Sequence, residues 1–468
     1  ERHESDWAWD QDSKTLSLEL TFQDSLYPIA LDPTLQFTAP ATSNTGEVIT
    51  GEVSSQFGNS MITGDFNADG KMDLAVGALG YSSNTGRVYL FYQDGALSTT
   101  AVGADVVITG EGTGNRLGAS LAAGDLNTDG KTDLAVGAQG YSTNTGRAYI
   151  FYNDGSYPTS AASADVIITG EATGNYFGNS LISGDFNADS KADLVVGAYG
   201  YSSFTGRAYI FYNDGSIPTT AATADVIITG EATNNFFSAS MAAGDFNADG
   251  RTDLAVGAQS YSSNTGRAYI FYNDGSIPTA AGSADVIITG EATSNSFGIS
   301  LTSGDFNTDG KTDLAVGAQS YSTNTGRAYI FYNDGSIPTA AGSADVIITG
   351  EATSNSFGSA IVAGDLNADG KTDLVVSAVL YSSGTGRTYI FYNDGSIPTT
   401  AATADVIITG ETAGDYFGQR LIASDLNTDG RIDLIAGTNS YSSFTGRAYI
   451  FYSQNGQVNT NKSIAGGA

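Results

Sequence analysis

Between residues 57 and 111 the apolar positions fall into four short runs separated by polar turns. Residues 57–66 lead into an acidic loop, and residues 72–78 leave it with the continuous apolar Leu-Ala-Val-Gly-Ala. Residues 87–92 (RVYLFY) form a third run, closed by the turn Gln93-Asp94-Gly95. Residues 105–111 (DVVITGE) form a fourth, rich in the Val and Ile that suit a pleated strand. No window has a 3.6-residue period, so the unit predicts four strands and no helix. This unit repeats. The string Asp-x-Asn-x-Asp opens at Asp65, Asp125, Asp185, Asp245, Asp305, Asp365 and Asp425, always 60 residues apart. The copies are nearly identical: GRAYIFYNDGSIPT runs from Gly266 and again from Gly326.

Short strands with Gly, Asn and Asp turns at even spacing predict an all-β fold, a seven-bladed β-propeller of four-stranded antiparallel blades. An open solenoid of seven units is the competing geometry. The ends of the array favour a ring. Residues 47–52 (EVITGE) match the fourth run yet precede the first acidic loop, while the last copy has no fourth run after Tyr452. A ring explains both if residues 48–52 pair with the third strand of the last blade, near residues 449–452. An open array needs polar caps, and the sequence offers none.

Residues 1–46 stand outside the repeat. Leu16, Leu18, Leu20 and Phe22 alternate with Ser17, Glu19 and Thr21, and Tyr27, Ile29 and Leu31 resume the pattern. That predicts a strand pair with one apolar face, which is marginal alone in water. It must fold back on the propeller or pair with another copy by strand addition, giving a homo-oligomer or a head-to-tail filament. Trp7 and Trp9, just upstream, extend the same surface. The domain reading is therefore a β extension (1–46), the propeller (47–456) and a tail (457–468).

Composition narrows the function classes. Asp and Glu total 50 against 19 Lys and Arg, a formal charge of −31. Such a chain is a poor partner for nucleic acid, whose phosphates need clustered Lys and Arg. No apolar run approaches the ~18 residues of a membrane span. Cys is absent, which excludes disulfides and thiolate metal sites, and His3 is the one histidine. The chain starts at Glu1 with neither Met nor a leader, which reads as a processed mature form.

The acidic loops carry the candidate chemistry. The first offers the side-chain oxygens of Asp65, Asn67, Asp69 and Asp73 and the carbonyl of Lys71, with Gly70 at the sharp turn. The second has Asp125, Asn127, Asp129, Lys131 and Asp133; the third has Asp185, Asn187, Asp189, Lys191 and Asp193. The fourth has Asp245, Asn247, Asp249, Arg251 and Asp253; the fifth has Asp305, Asn307, Asp309, Lys311 and Asp313. The sixth and seventh follow with Asp365, Asn367, Asp369, Lys371 and Asp373, and with Asp425, Asn427, Asp429, Arg431 and Asp433. Hard Ca²⁺ takes about six to eight oxygen ligands, and positions 1, 3, 5, 7 and 9 wrap such oxygens around one point. One loop of this kind is also an ordinary Asx-rich turn; seven in register predict up to seven Ca²⁺, one per blade. Their binding would move the formal charge from −31 to −17 and relieve repulsion among the carboxylates.

The repeat resembles the FG-GAP repeats of the integrin α-subunit propeller and of secreted bacterial proteins, over residues 47–453. Phe57-Gly58 with Gly77-Ala78, and Phe177-Gly178 with Gly197-Ala198, carry the resemblance. It implies Ca²⁺ between the first and second strand of a blade and a ligand face on the opposite side. Leu117 and Ser238 break the Phe-Gly pair, Ser377 replaces a Gly, and Ser190 replaces the loop Gly of the third copy.

Two charged positions recur seven times, Arg87 through Arg447 and Glu52 through Glu411, and read as structural ion pairs in preference to ligand contacts. Tyr89, Tyr149 and Tyr209 read as packing, and Asn461-Lys462-Ser463 fits a glycosylation acceptor. Blade-specific residues cluster on the expected ligand face: Arg116, Tyr176, Phe204, Phe236, Tyr416 and Phe444. Catalysis needs different groups in different roles around one centre, whereas these blades repeat one set. The expected function is that of a non-enzymatic, extracellular, calcium-binding protein, structural or adhesive, with a protein or glycan ligand opposite the loops.

Overall fold

A run such as Asp-Leu-Ala-Val-Gly-Ala is apolar without alternation because both of its faces are covered. In the computed structural model, which describes residues 6–10, 15–19, 46–454 and 457–458, all six residues of this strand are buried in every repeat. The chain divides into two units, Glu1–Thr42 and Ser43–Ala468.

The larger unit holds seven four-stranded antiparallel sheets. The first blade runs Phe57–Gly64, Asp73–Ala78, Arg87–Phe91 and Val106–Thr109, with each strand beside the next. The last blade takes Arg420–Ser424, Asp433–Thr438 and Arg447–Phe451 from the C-terminal repeat and Val48–Thr50 from the start of the array. Val48 faces Tyr449, Ile49 faces Ala448 and Thr50 faces Arg447. The ring is closed where the sequence predicts. First strands surround a central channel, lined by Ser60, Ser120, Ser180, Ser240 and Ser300 among others.

Apolar clusters bridge neighbouring blades rather than filling single ones. Ala75, Val88, Leu90 and Ile108 of the first blade pack with Leu134, Val136 and Tyr149 of the second. Ile49, Leu426, Ile435 and Ala448 of the last blade pack with Phe57, Leu74 and Val76 of the first. Each apolar side chain uncovered by opening such an interface costs about 1.5–3 kcal/mol. Phe57 fills the first blade edge-on to Tyr89 and Phe91, at 5.5 and 6.2 Å. Leu117 is buried in the equivalent place of the second blade, in one cluster with Tyr149 and Phe151.

Near the axis the blades approach closely. A Cβ on Gly77 would collide with Ser60 Oγ and the Gly118 carbonyl, and Ser60 Oγ donates to that carbonyl at 2.7 Å. Ser377 keeps the position by accepting the Ala360 N–H on its buried hydroxyl at 3.1 Å. Ser238 likewise adopts the left-handed φ of Gly58 and donates to the Arg207 carbonyl at 2.7 Å.

Further out, the repeated charges form a latch between blades. Glu52 Oε1 accepts from Arg87 Nη1 at 2.7 Å and from the Tyr89 hydroxyl at 2.6 Å. Arg87 Nε donates to Thr109 Oγ1 at 3.0 Å, and the guanidinium lies 3.6 Å over the Tyr81 ring. The Glu–Arg contact recurs at all seven interfaces. These residues are spent on the scaffold.

The absence of helix expected from periodicity needs correction. After each second strand the chain makes a tight left-handed turn, with φ of 47°, 58° and 61° at Ser82, Ser83 and Asn84. L-residues resist this conformation by about 1–2 kcal/mol each. Thr85 Oγ1 offsets part of that cost by donating to the Ser82 carbonyl at 2.8 Å. A short 3₁₀ turn, Ala101–Gly103, precedes the fourth strand.

In the N-terminal unit, Asp6–Asp10 pairs antiparallel with Thr15–Glu19, Trp7 opposite Leu18 and Trp9 opposite Leu16. The partner of the Leu16 strand is thus the tryptophan segment, which also alternates, across a four-residue connection suited to a hairpin. The expected strand at residues 27–31 lies outside the described residues. Beyond the last blade, Gln457–Val458 pairs with Ser453–Gln454, and Val458 is buried beside Val375 and Ile390. Val458, in the expected tail, therefore packs against the blades.

Deletion of residues 1–52 should open the ring and give aggregates by light scattering, because a bared blade edge recruits strands. Deletion of residues 1–44 should leave a soluble particle of monomer mass. Equal behaviour of the two truncations would refute closure by Val48–Thr50.

Candidate functional site

The seven acidic loops all connect the first strand of a blade to its second, at one end of the sheets. In the first, Asp65 accepts the Asp69 N–H on Oδ1 at 3.0 Å and the Gly70 N–H on Oδ2 at 2.9 Å. Asn67 Oδ1 takes the Asp69 N–H at 2.9 Å, and Asp69 Oδ1 takes the Lys71 N–H at 2.9 Å. Asp and Asn suit these places because their short side chains reach backbone N–H groups two to five residues on. The chain is thereby coiled around the side-chain oxygens. Gly70 needs its φ of 87°, and an added Cβ would meet nothing within 4 Å, so the constraint is conformational. Ser190 takes the same place at φ 67° and keeps its N–H on Asp185 Oδ2 at 2.8 Å. The third loop is built like the rest under local strain.

Asp73 stands apart. It is fully buried, and its two oxygens accept the Phe66 and Gln93 N–H groups at 2.9 and 2.8 Å. It clamps the loop to the end of the third strand. Burial pushes its carboxyl up to about 6, with the Asp69 and Asp65 charges adding to the effect and the two backbone bonds opposing it. Asp133, Asp193, Asp253, Asp313 and Asp373 are also raised to about 6, and Asp433 to about 7. Sequence reasoning missed the Lys71 side chain, whose ammonium donates to the Gln93 carbonyl at 3.1 Å and lies 3.7 Å from Asp69 Oδ2. Arg251 reaches the equivalent Asn273 carbonyl at 3.1 Å.

The donor set is all oxygen and anionic, which fits a hard divalent cation in preference to a soft one. Each carboxylate oxygen engaged by one N–H retains a second lone pair. Among the described residues no three acidic or histidine side chains form a ready metal group. Amide and carbonyl oxygens must therefore complete any coordination shell.

The opposite end of the sheets is where the blades differ. Tyr176, Tyr199, Phe204 and Phe236 form a cluster of near-parallel rings. Tyr176 stacks on Tyr199 at 5.0 Å, Tyr199 on Phe236 at 5.7 Å and Phe236 on Phe204 at 4.9 Å. Three of these four were expected there. Tyr199 was not singled out because it occupies an ordinary position after the second strand, where other blades carry Leu79 or Gln139. The Arg116 charge reaches Tyr199. Tyr416 leans on Gly384 and Phe444 is exposed; neither joins the cluster.

The FG-GAP repeat family matches residues 57–91, 117–151, 177–211, 237–271, 297–331 and 357–391. Human phosphatidylinositol-glycan-specific phospholipase D is 26% identical over 85% of this chain and 54% of its own length. The mouse protein of that name is 31% identical over 84% of this chain and 54% of its length. The chain thus spans about half the length of these relatives. Integrin alpha-PS2 of Drosophila melanogaster is 32% identical over 49% of this chain and 17% of its length.

Two expectations follow from the loops. In chelator, the melting temperature should rise as pH falls from 7.5 to 5. The raised carboxyls bind protons in the folded state before they do in the unfolded one, and that stabilisation is lost as pH climbs through about 6. A flat profile in differential scanning fluorimetry would contradict it. Ser190→Gly should stabilise the protein by about 1 kcal/mol in denaturant titration by removing the left-handed strain.

Proposed function

This chain is an FG-GAP repeat protein related to integrin α propellers and to phosphatidylinositol-glycan-specific phospholipase D, and from that premise we propose that it is a non-enzymatic, extracellular, calcium-stabilised adhesive module. One observation carries the reading: the seven blades repeat the acidic loop on one end, while the residues that differ gather on the other. A scaffold is built by repetition and a ligand surface by departure from it.

Calcium is the cation the loops suit. Asp65, Asn67 and Asp69 would hold it through side-chain oxygens, Lys71 through its carbonyl and Asp73 through a carboxylate already fixed by two N–H groups. The bound ion would neutralise carboxylates that otherwise raise the cost of folding. At free Ca²⁺ of ~100 times Kd, each independent site would contribute roughly 2.7 kcal/mol. Loops in the ~10⁻⁴–10⁻³ M class fill outside the cell rather than in the cytosol, which supports an extracellular location. No helix among the described residues is long and apolar enough to cross a membrane. The integrin relatives support protein partners.

A structural reading, in which copies join head-to-tail through the N-terminal unit, has its own support in the Asp6–Asp10/Thr15–Glu19 hairpin, a two-stranded sheet too small to be stable alone.

Calorimetric titration should find at least six Ca²⁺ per chain, the loop at Asp185–Asp193 being the weakest; three or fewer would sink the calcium reading. Asp69→Ala should lower the melting temperature more in Ca²⁺ than in chelator, where only the Lys71 contacts are lost; equal destabilisation in the two would contradict a metal role. Light scattering in Ca²⁺ should show larger particles for the full chain than for one starting at Thr45 if the N-terminal unit assembles copies. Monomeric full-length protein at high concentration would leave the adhesive reading alone.

A further inference from the structure

The central channel opens, on the face away from the acidic loops, into a cavity of about 350 Å³. That is near the small end of the range for ligand pockets, roughly 300–1,000 Å³. In a chain of net charge −31 its lining contains no acidic residue. It contains one cation, Arg420. The equivalent position is Ser60, Ser120, Ser180, Ser240 and Ser300 in the first five blades and Ala360 in the sixth. Those five serines donate to main-chain carbonyls of the next blade. The arginine keeps that anchor through Nε, which donates to the Asn59 carbonyl at 2.9 Å. Its other hydrogen bond, Nη1 to the Gln419 carbonyl, is long at 3.3 Å and exposed. No carboxylate pairs with it among the described residues, and it is open to solvent. A planar guanidinium held by one edge presents the other to a planar anion.

The rest of the lining is uncharged and mixed in character. Gln139 and Gln259 bring side-chain amides that make no hydrogen bond within the described residues. Tyr199 and Phe236 bring rings that the stack with Tyr176 and Phe204 holds in place. Free amides call for hydroxyls, the fixed rings for an apolar face, and the guanidinium for a carboxylate. A pyranose ring with a carboxylate supplies all three. An Asp or Glu side chain supplies only the last, and a neutral sugar lacks it.

We propose that this channel mouth binds a uronic-acid-containing oligosaccharide, its carboxylate on Arg420, its hydroxyls on Gln139 and Gln259, and its apolar face against Tyr199 and Phe236. The site deepens the adhesive reading by naming its ligand class, and rests on that reading for the choice of face. It does not rest on metal occupancy or on assembly.

The test titrates the full chain in Ca²⁺ with trigalacturonate, with the neutral galactose trimer and with an acidic hexapeptide, followed by calorimetry and by tyrosine fluorescence. Trigalacturonate should bind one per chain and weaken as salt is raised, with the other two at least tenfold weaker. Arg420→Ser and Tyr199→Gln install residues that other blades already carry, so the fold is expected to hold, as circular dichroism and melting will report. The first should weaken trigalacturonate at least tenfold and abolish its salt dependence; the second should weaken it about fivefold. Equal binding of the neutral trimer, an unchanged affinity in Arg420→Ser, or binding of the peptide alone would overturn the proposal. A protein that ignores all three probes yet still adheres to surfaces through this face refutes the sugar while keeping the adhesive reading.

Discussion

A blade of this protein has two apolar faces and only its neighbours to cover them. The second strand is buried along its whole length in every repeat, and the apolar clusters run between blades. One repeat is therefore no folding unit, and seven in an open row would leave two faces bare. Closing the ring is what covers both. That burden falls on Val48–Thr50, a three-residue strand joined to the last blade across some four hundred residues of chain. The pairing is small, but the faces it brings together are large. The Glu–Arg–Tyr latch is half-buried and makes strong charge-assisted bonds, yet its main effect is geometric. It fixes each blade to the next at its outer edge, while the Ser60-type hydrogen bonds of the first five blades and the Arg420 bond of the last do so near the axis. Two fixed points set the angle between blades, and seven equal angles close a circle.

How much of this was legible in the residues depended on the kind of information involved. The 60-residue register, the four strands and the closing strand follow from hydropathy and counting, since strand burial has a period that sequence displays. The ion pair of Glu52 with Arg87 was legible as a recurrence. The left-handed turn at Ser82, Ser83 and Asn84 was not, because hydropathy carries no information about φ and small polar residues also serve in ordinary turns. The dual use of Asp73 was hidden for a related reason: a loop pattern names the donors without saying which backbone N–H groups they already hold. The channel mouth was the least legible. Arg420, Gln139, Gln259 and Tyr199 are far apart in sequence, and only ring closure places them around one opening. Looking for differences between repeats found Tyr176, Phe204 and Phe236, and the same comparison applied to the Ser60 and Leu79 positions would have found Arg420 and Tyr199.

The two ends of the propeller are electrically distinct. The loops place 21 of the 50 acidic side chains on one side, and the mouth of the channel on the other is lined without any. An eight-residue strand such as Phe57–Gly64 spans roughly 25 Å at about 3.3 Å per residue. The Debye length at physiological salt is about 8 Å, so fields from the loops are largely screened at the far end. Charge on the loop side, whether bare or neutralised by a cation, therefore has little direct leverage on an anion near Arg420. Coupling between the ends has to pass through stability instead. Loop carboxylates left unneutralised weaken the hold of each first strand on its second, and those first strands are what line the channel. A cation held by the loops would thus matter to the opposite face by keeping the ring shut, and the affinity of a ligand proposed there should follow cation concentration only where the fold itself begins to fail.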